Sequence, residues 1–246
     1  MADDILGVAG KVCLVTGASS GLGAHFAALL AGRGALVAGA SCAPPVGEDA
    51  SVRHYDCDIR DGAAVEAVFE AVERDLGPVD VLVNAAGIAH FERAEQFDDE
   101  ALADVFSTNV AGTMRVTREA ATRMLAAKRS GSIIQVTSVL ARTGMAGVCA
   151  YAGTKAALEQ MMRAQAIEWA RSGVRINALA PGWFATAMTK PFLDKGAGGF
   201  LKGRIPMRRL GRPDDLDGAL LLLASDASRY MTGTVLTVDG GFSAGA

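Results

Sequence analysis

Aromatic residues make up only 6% of this 246-residue chain, and it holds three histidines and four cysteines. Each scarcity removes a class of protein. Cys13, Cys42, Cys57 and Cys149 lie far apart with no CxxC pair, which argues against a disulfide scaffold or zinc site and suits reduced thiols in a cytoplasmic compartment. His25, His54 and His90 stand at no metal-ligand spacing, so no metal is expected. No apolar run approaches the ~18 residues a membrane span needs, and the acidic start MADDILG lacks a basic region followed by an apolar core. The expectation is a soluble, unexported chain with no membrane partner. A basic stripe is missing too: the net charge is −3 and cations are scattered among acids, so nucleic acid is not an expected partner. Only Arg204, Arg208, Arg209 and Arg212 cluster, either to meet a phosphate-bearing carrier on a substrate or as a solvated loop or subunit contact. No repeat period or low-complexity tract is visible.

What the chain has in quantity is glycine, 29 residues, in a sequence that is 50% hydrophobic. Its length suits one large α/β domain burying roughly 70–75% of its unfolded surface. Lys11 to Thr16 is an apolar run leading into glycines, followed by helical spacing through Phe26, Leu29 and Leu30. Strands are then expected at Ala35–Ala40 and Val52–Tyr55, with the crossover helix between them missing or very short. A helix carries Val65, Val68, Phe69, Val72 and Leu76, and Gly77-Pro78 ends it before the strand Val79–Val83. A long helix from Asp98 or Asp99 to about Lys128, a strand Ser132–Thr137, a helix bearing Tyr151 and Lys155, and a strand Val174–Leu179 follow. Pro213 opens a helix with Asp214 and Asp215 in its first turn, and Thr234–Val238 closes the series. This alternation predicts a doubly wound parallel sheet of Rossmann type, α/β, as a single domain over residues 1–246.

Three residue sets carry chemistry. Gly17, Gly21 and Gly23 stand at the mouth of the first strand, where absent side chains let backbone and helix N-terminus approach a pyrophosphate; Ser19 and Ser20 could add hydroxyl donors. Asn84-Ala85-Ala86-Gly87 follows the fourth strand at its C-terminal edge, both as a turn and as a border to a ligand crevice. Tyr151 and Lys155 are four apart, so on a helix they share a face, and a fixed ammonium there could lower the ionisation of a phenol. Asn109 falls within the long helix, where asparagine has weak propensity and competes for backbone hydrogen bonds.

With Ser138, Asp58, Pro181-Gly182 and TGTVLTVDGG added in order, the chain resembles the short-chain dehydrogenase/reductases, ketoreductase-like branch, over essentially its full length. The resemblance implies an NAD(P)-dependent oxidoreductase interconverting a ketone and a secondary alcohol, with a small-molecule substrate and a homo-oligomeric, commonly tetrameric, assembly. It implies Tyr151 as general acid or base, Lys155 as the group that lowers its pKa and holds the nicotinamide ribose, Ser138 on the substrate oxygen, and Asn109 positioning a relay water. It also implies cofactor contacts from Gly17, Ser19, Ser20, Gly21, Leu22, Gly23, Ser41, Asp58, Ile59, Asn84, Ala85, Gly87, Pro181, Gly182 and Thr186. A non-catalytic dinucleotide sensor and a redox-neutral lyase or epimerase are the alternatives.

At the end of the second strand, where an acid would bind the ribose hydroxyls of NAD, stand Ser41 and Cys42. An acid about 5 Å from a 2′-phosphate would cost on the order of 3 kcal/mol, a penalty absent here. An arginine there and a basic residue at Ser20 are absent as well, so the sequence leans slightly to NADP, because nothing repels its phosphate and Ser41 could donate to it. Trp183, Phe184, Met188, Phe192, Phe200 and Met207, with Gly196, Gly198 and Gly199 as hinge, suggest an apolar lid over about residues 183–212 and a substrate with apolar surface. His90 is close enough to line the rim. Cys149 lacks a partner base and is read as packing.

Overall fold

The computed structural model describes residues 4–44, 50–190, 193 and 198–245. Seven strands form one sheet: β1 (Val12–Thr16), β2 (Leu36–Ser41), β3 (Val52–Asp56), β4 (Val81–Asn84), β5 (Gly131–Val136), β6 (Val174–Pro181) and β7 (Val235–Val238). All neighbours pair in parallel, in the order β3-β2-β1-β4-β5-β6-β7. Central strands such as β1 are buried at every position, which is why they read as unbroken apolar runs and not as alternation.

The helices are α1 (Gly21–Gly32), α2 (Gly62–Asp75), α3 (Asp99–Phe106), α4 (Thr113–Ala126), α5 (Cys149–Trp169), α6 (Gly198–Arg204) and α7 (Asp217–Ala224). Val65, Phe69 and Val72 of α2 and Val116, Ala120 and Met124 of α4 pack on one face of the sheet. Phe26 and Leu30 of α1 and Leu220 and Leu223 of α7 cover the other. The doubly wound sheet is therefore as expected. No helix is present among the described residues between β2 and β3, in keeping with the missing crossover.

Two local differences matter. The long helix from Asp98 is not regular: Ser107–Gly112 widens into a π-helical turn between α3 and α4, with Asn109 inside it. Pro213 starts a 3-10 turn, Pro213–Leu216, which runs directly into α7. Since β1 lies between β2 and β4, the chain leaves its C-terminal end in opposite directions and opens a crevice there. Among the described residues, no helix is long and apolar enough to cross a membrane.

Candidate active site

A crevice of about 480 Å³ runs along the C-terminal edge of the sheet. Gly17, Ser19, Ser20, Gly21, Leu22 and Gly23 line it from the loop after β1, Ser41 from β2, and Asp58 and Ile59 from beyond β3. Ala85 and Gly87 follow β4; Ser138, Tyr151, Lys155, Pro181, Gly182 and Thr186 complete the other half. Gly17 has φ +68°, and a Cβ there would lie 2.7 Å from the Cα of Ala86, so a side chain would push the two loops apart. Gly21 has φ +58° and nothing within 4 Å of where a Cβ would stand.

Ser20 caps α1 with extended backbone but makes no side-chain cap bond, and no acid occupies the first turn. The positive end of α1 and its N–H groups thus remain for an anion. This open helix start above a glycine floor fits the pyrophosphate of a dinucleotide.

Asn84 and Asn109 do not line the crevice. The Asn84 amide is buried behind the wall and donates to Thr117 Oγ1 at 2.9 Å, so its side chain faces α4 and not a cofactor, contrary to expectation. Asn109 is fully buried and joins two elements. Its Oδ1 accepts from the Ile88 N–H at 2.8 Å, and its Nδ2 donates to the Ile88 carbonyl at 2.9 Å and to Thr154 Oγ1 at 3.1 Å. Thr154 Oγ1 in turn donates to the Tyr151 carbonyl at 2.7 Å. The amide protons are used in clamping the β4 loop to α5.

Ser138 sits two residues beyond β5, its hydroxyl accepting from the Leu140 N–H at 3.1 Å and facing the Tyr151 hydroxyl closely enough to lower its pKa. One turn beyond Tyr151, Lys155 lies 5% exposed and donates to the Val136 carbonyl at 2.9 Å. Burial pushes the Tyr151 hydroxyl up to about 12, the bond to Ser138 opposing it. Burial also brings the Lys155 ammonium down to about 8. The expected acidification of the phenol is therefore not seen: the ammonium lies over the ring, 5.5 Å from its centroid, and bonds to a carbonyl. A Cβ on Gly87 would come within 3.1 Å of Asn109 Oδ1 and 3.6 Å of Lys155 Nζ, which leaves room there only for glycine.

At the far end, Asp58 is gripped by Arg60, whose Nε and Nη2 reach its carboxylate at 2.7–3.0 Å while Nη1 reaches Asp104 at 3.0 Å. This holds the Asp58 carboxyl below its ordinary range. Arg60, Asp104 and Thr108 line the crevice and were missed in the sequence; an arginine two residues after the candidate Asp58 was the available signal. Ser41 gives its proton to the Ala43 carbonyl at 2.9 Å and not to the crevice.

Other expectations change as well. Trp183 and Phe184 are 4% exposed and belong to the core: Trp183 packs edge-on to Phe242 and Phe184 bridges to Gly211. Met188 does face the crevice, but Phe200 lies outside under the Arg204 guanidinium, and Gly198 and Gly199 begin α6 and form no hinge. Phe192 and Gly196 fall outside the described residues. Of the arginine cluster, Arg209 pairs with Asp215, Arg212 with Asp214, and Arg208 donates to the Gly203 carbonyl, so the carrier reading gains no support. His90 packs against Phe97, and His25 bonds Asp217 at 2.6 Å.

Comparison with known proteins agrees with this geometry. A family model described as enoyl-(acyl carrier protein) reductase matches residues 17–243. The chain is 36% identical over 238 residues to 3-oxoacyl-(acyl-carrier-protein) reductase of Escherichia coli, covering 94% of this chain and 97% of the relative. The chain belongs to the short-chain dehydrogenase/reductases. As a member it is an NAD(P)-dependent oxidoreductase acting between carbonyl and alcohol. It is also 38% identical over 249 residues to 2-dehydro-3-deoxy-D-gluconate 5-dehydrogenase of Bacillus subtilis, covering 97% of each. The structure of gluconate 5-dehydrogenase from Burkholderia cenocepacia, solved with NADP and tartrate, superposes with a TM-score of 0.91 at 29% identity over 99% of both chains.

Proposed function

We propose that this short-chain dehydrogenase/reductase works as an NADPH-dependent reductase of ketones with an apolar flank, such as 3-oxoacyl compounds. The observation that carries the reading is a second, smaller cavity of about 50 Å³ beside Ser138 and Tyr151. Ala89, Phe91, Val139, Leu140, Trp183 and Met188 supply its apolar wall, and no charged side chain is among the described residues that line it. A sugar acid would bring a carboxylate and several hydroxyls to that wall, which offers little to replace their water. Relatives that act on sugar acids share the scaffold, and one scaffold hosts many substrates.

The dinucleotide, when bound, supplies the hydride. The helix start at Gly21 would hold its pyrophosphate, and the Lys155 ammonium, with one of its three donors on Val136, would bond the ribose nearest the reaction. Tyr151 would give its proton to the ketone oxygen as charge develops there, and Ser138 would donate a second hydrogen bond to the same atom. A buried phenol near 12 remains a stronger acid than an aliphatic alcohol, so protonation runs downhill in reduction. NADP is favoured because neither Ser41 nor Cys42 repels a 2′-phosphate and Arg60 already neutralises Asp58. Exposed Ile167 on α5 and the edge position of β7 support a homo-oligomer, of tetrameric form by family resemblance.

The test is a panel of 3-oxoacyl thioesters, simple ketones and keto sugar acids assayed with NADPH and NADH. Apolar ketones reduced with NADPH, and sugar acids left untouched, are expected; preference for a sugar acid would refute the substrate class. The Tyr151→Phe variant should lose at least about 100-fold in turnover while still binding cofactor. A pure sensor would have no turnover to lose, and the complete set of Asn109, Ser138, Tyr151 and Lys155 disfavours that role.

A further inference from the structure

Cys42 and Cys57 occupy the rung just past the end of the β2–β3 ladder. Ser41 and Asp56 are the last register partners, and the Cys57 N–H donates to the Ser41 carbonyl at 3.1 Å. Ala38 and Ala40 of β2 face the same apolar cluster as Cys57, and Tyr55 packs against that cluster. Continued one residue past the strand ends, the same alternation would carry Cys42 onto that face beside Cys57, and Cys42 is among the groups that act on the Cys57 thiol. Paired strands run about 4.8 Å apart, inside the roughly 4.4–6.8 Å between Cα atoms that a disulfide accepts. Cys42 is exposed, Cys57 is buried, and both line the crevice wall between Ser41 and Asp58.

We propose that Cys42 and Cys57 form a reversible intramolecular disulfide that senses thiol redox state at the adenosine end of the crevice. The oxidant class is a low-molecular-weight disulfide. The Cys42 thiolate attacks one sulfur of the reagent, forming a mixed disulfide and releasing one thiol. Cys57 then attacks the Cys42 sulfur, the protein disulfide forms, and the second thiol leaves with the Cys57 proton. Two protein thiols are oxidised and one small disulfide is reduced to two thiols. The order follows from access: the exposed sulfur meets the reagent and the buried one resolves it. Burial, followed by the neighbouring acids Asp58, Asp56 and Asp61, pushes the Cys57 thiol up to about 11, which makes resolution the slower step.

The consequence for cofactor rests on the function proposed above. Closing the bridge draws Cys42 toward the crevice floor and shifts Ser41, whose hydroxyl already turns to Ala43. Binding at the ribose end should weaken.

Full-length protein is incubated with oxidised glutathione, alkylated in denaturant and digested without reduction. Peptides holding Cys42 and Cys57 should be recovered joined, and C42S and C57S should each abolish that species. Recovery of Cys42 as a glutathione adduct beside a freely alkylated Cys57 overturns the proposal. NADPH binding, followed by its fluorescence, should weaken about tenfold on oxidation, as the shifted Ser41–Cys42 wall ceases to fit the ribose end, and return with dithiothreitol. For C42S, whatever its starting affinity, the same oxidant should produce no change. A bridge that forms with affinity unchanged refutes its sensing role at this end. Reduced protein that fails to bind NADPH at all would count against the cofactor reading instead, with the bridge read independently by mass.

Discussion

The Lys155 ammonium lies 5.5 Å from the centroid of the Tyr151 ring and gives a 2.9 Å hydrogen bond to the Val136 carbonyl. The cation is thus fixed by backbone before any substrate arrives, and burial and Ser138, not the cation, set the ionisation of the phenol.

The two groups set opposite pH responses. Lys155 holds its charge below about 8 and loses it as pH rises through that value, while Tyr151 keeps its proton up to about 12. Reduction, which uses both the phenolic proton and the ammonium, should show kcat/KM level at low pH and falling above about 8. Oxidation, which uses the phenolate and the same ammonium, should instead rise with pH up to about 8 and level off above it. Initial rates in both directions check this; parallel profiles would contradict the assignment.

A buried ammonium also weakens the fold. Its folded pKa of about 8 lies below the ordinary 10.5, so the charged form is disfavoured on folding. The penalty is fully present below about 8 and disappears as pH rises through 10.5. It amounts to roughly 3 kcal/mol, and losing the Val136 partner returns about 1–2 of that. Lys155→Met should therefore raise the unfolding free energy read from urea denaturation at neutral pH, by about 1–2 kcal/mol, while abolishing activity. The stabilisation should shrink toward pH 10.

Asn109→Ala removes three hydrogen bonds from a fully buried site and leaves the Ile88 N–H and carbonyl without their partner. Each orphaned group costs about 1–3 kcal/mol, so a loss of roughly 2–6 kcal/mol is expected in chemical denaturation. Because the clamp ties the β4 loop to α5, kcat should fall even where the variant is fully folded.

Two glycines one turn apart in purpose separate binding from folding. Gly21→Ala meets open space, so its penalty to the fold is the left-handed φ, on the order of 1 kcal/mol, but the methyl projects where an anion would lie. Gly23→Ala would place a Cβ 2.2 Å from the Gly17 carbonyl oxygen, inside the protein. The first should lose cofactor affinity with little change in thermal midpoint; the second should lose stability outright. Calorimetry and binding titration on the pair distinguish them.

Much of this site is legible in the sequence because its parts are local. The glycine loop follows a strand directly, and Tyr151 and Lys155 meet through helical spacing alone. What escapes is set by distant partners. Trp183 and Phe184 sit among glycines and small residues in sequence and read as a lid, yet Phe242 and Gly211 bury them. Asn84 reads as a crevice residue until Thr117 on α4 claims its amide. The irregular turn at Asn109 depends on Ile88 and Thr154, neither near it in the chain. The arginines differ: Asp214 and Asp215 stand within a few residues of them, and their place in a helix's first turn, where they suit its dipole, masks their pairing with Arg212 and Arg209.

The widened turn at Ser107–Gly112 changes what one rod can do. In an unbroken α-helix, Val105 and Val116, about three turns apart, would point almost the same way. One residue added to the coil rotates everything beyond it by about 100°. Val105 is fully buried outside that cluster, while Val116, Ala120 and Met124 aim at the sheet face shared with α2. A phase slip in the screw thus lets a single helical axis seal two different surfaces, and it puts Asn109 at the seam where they meet.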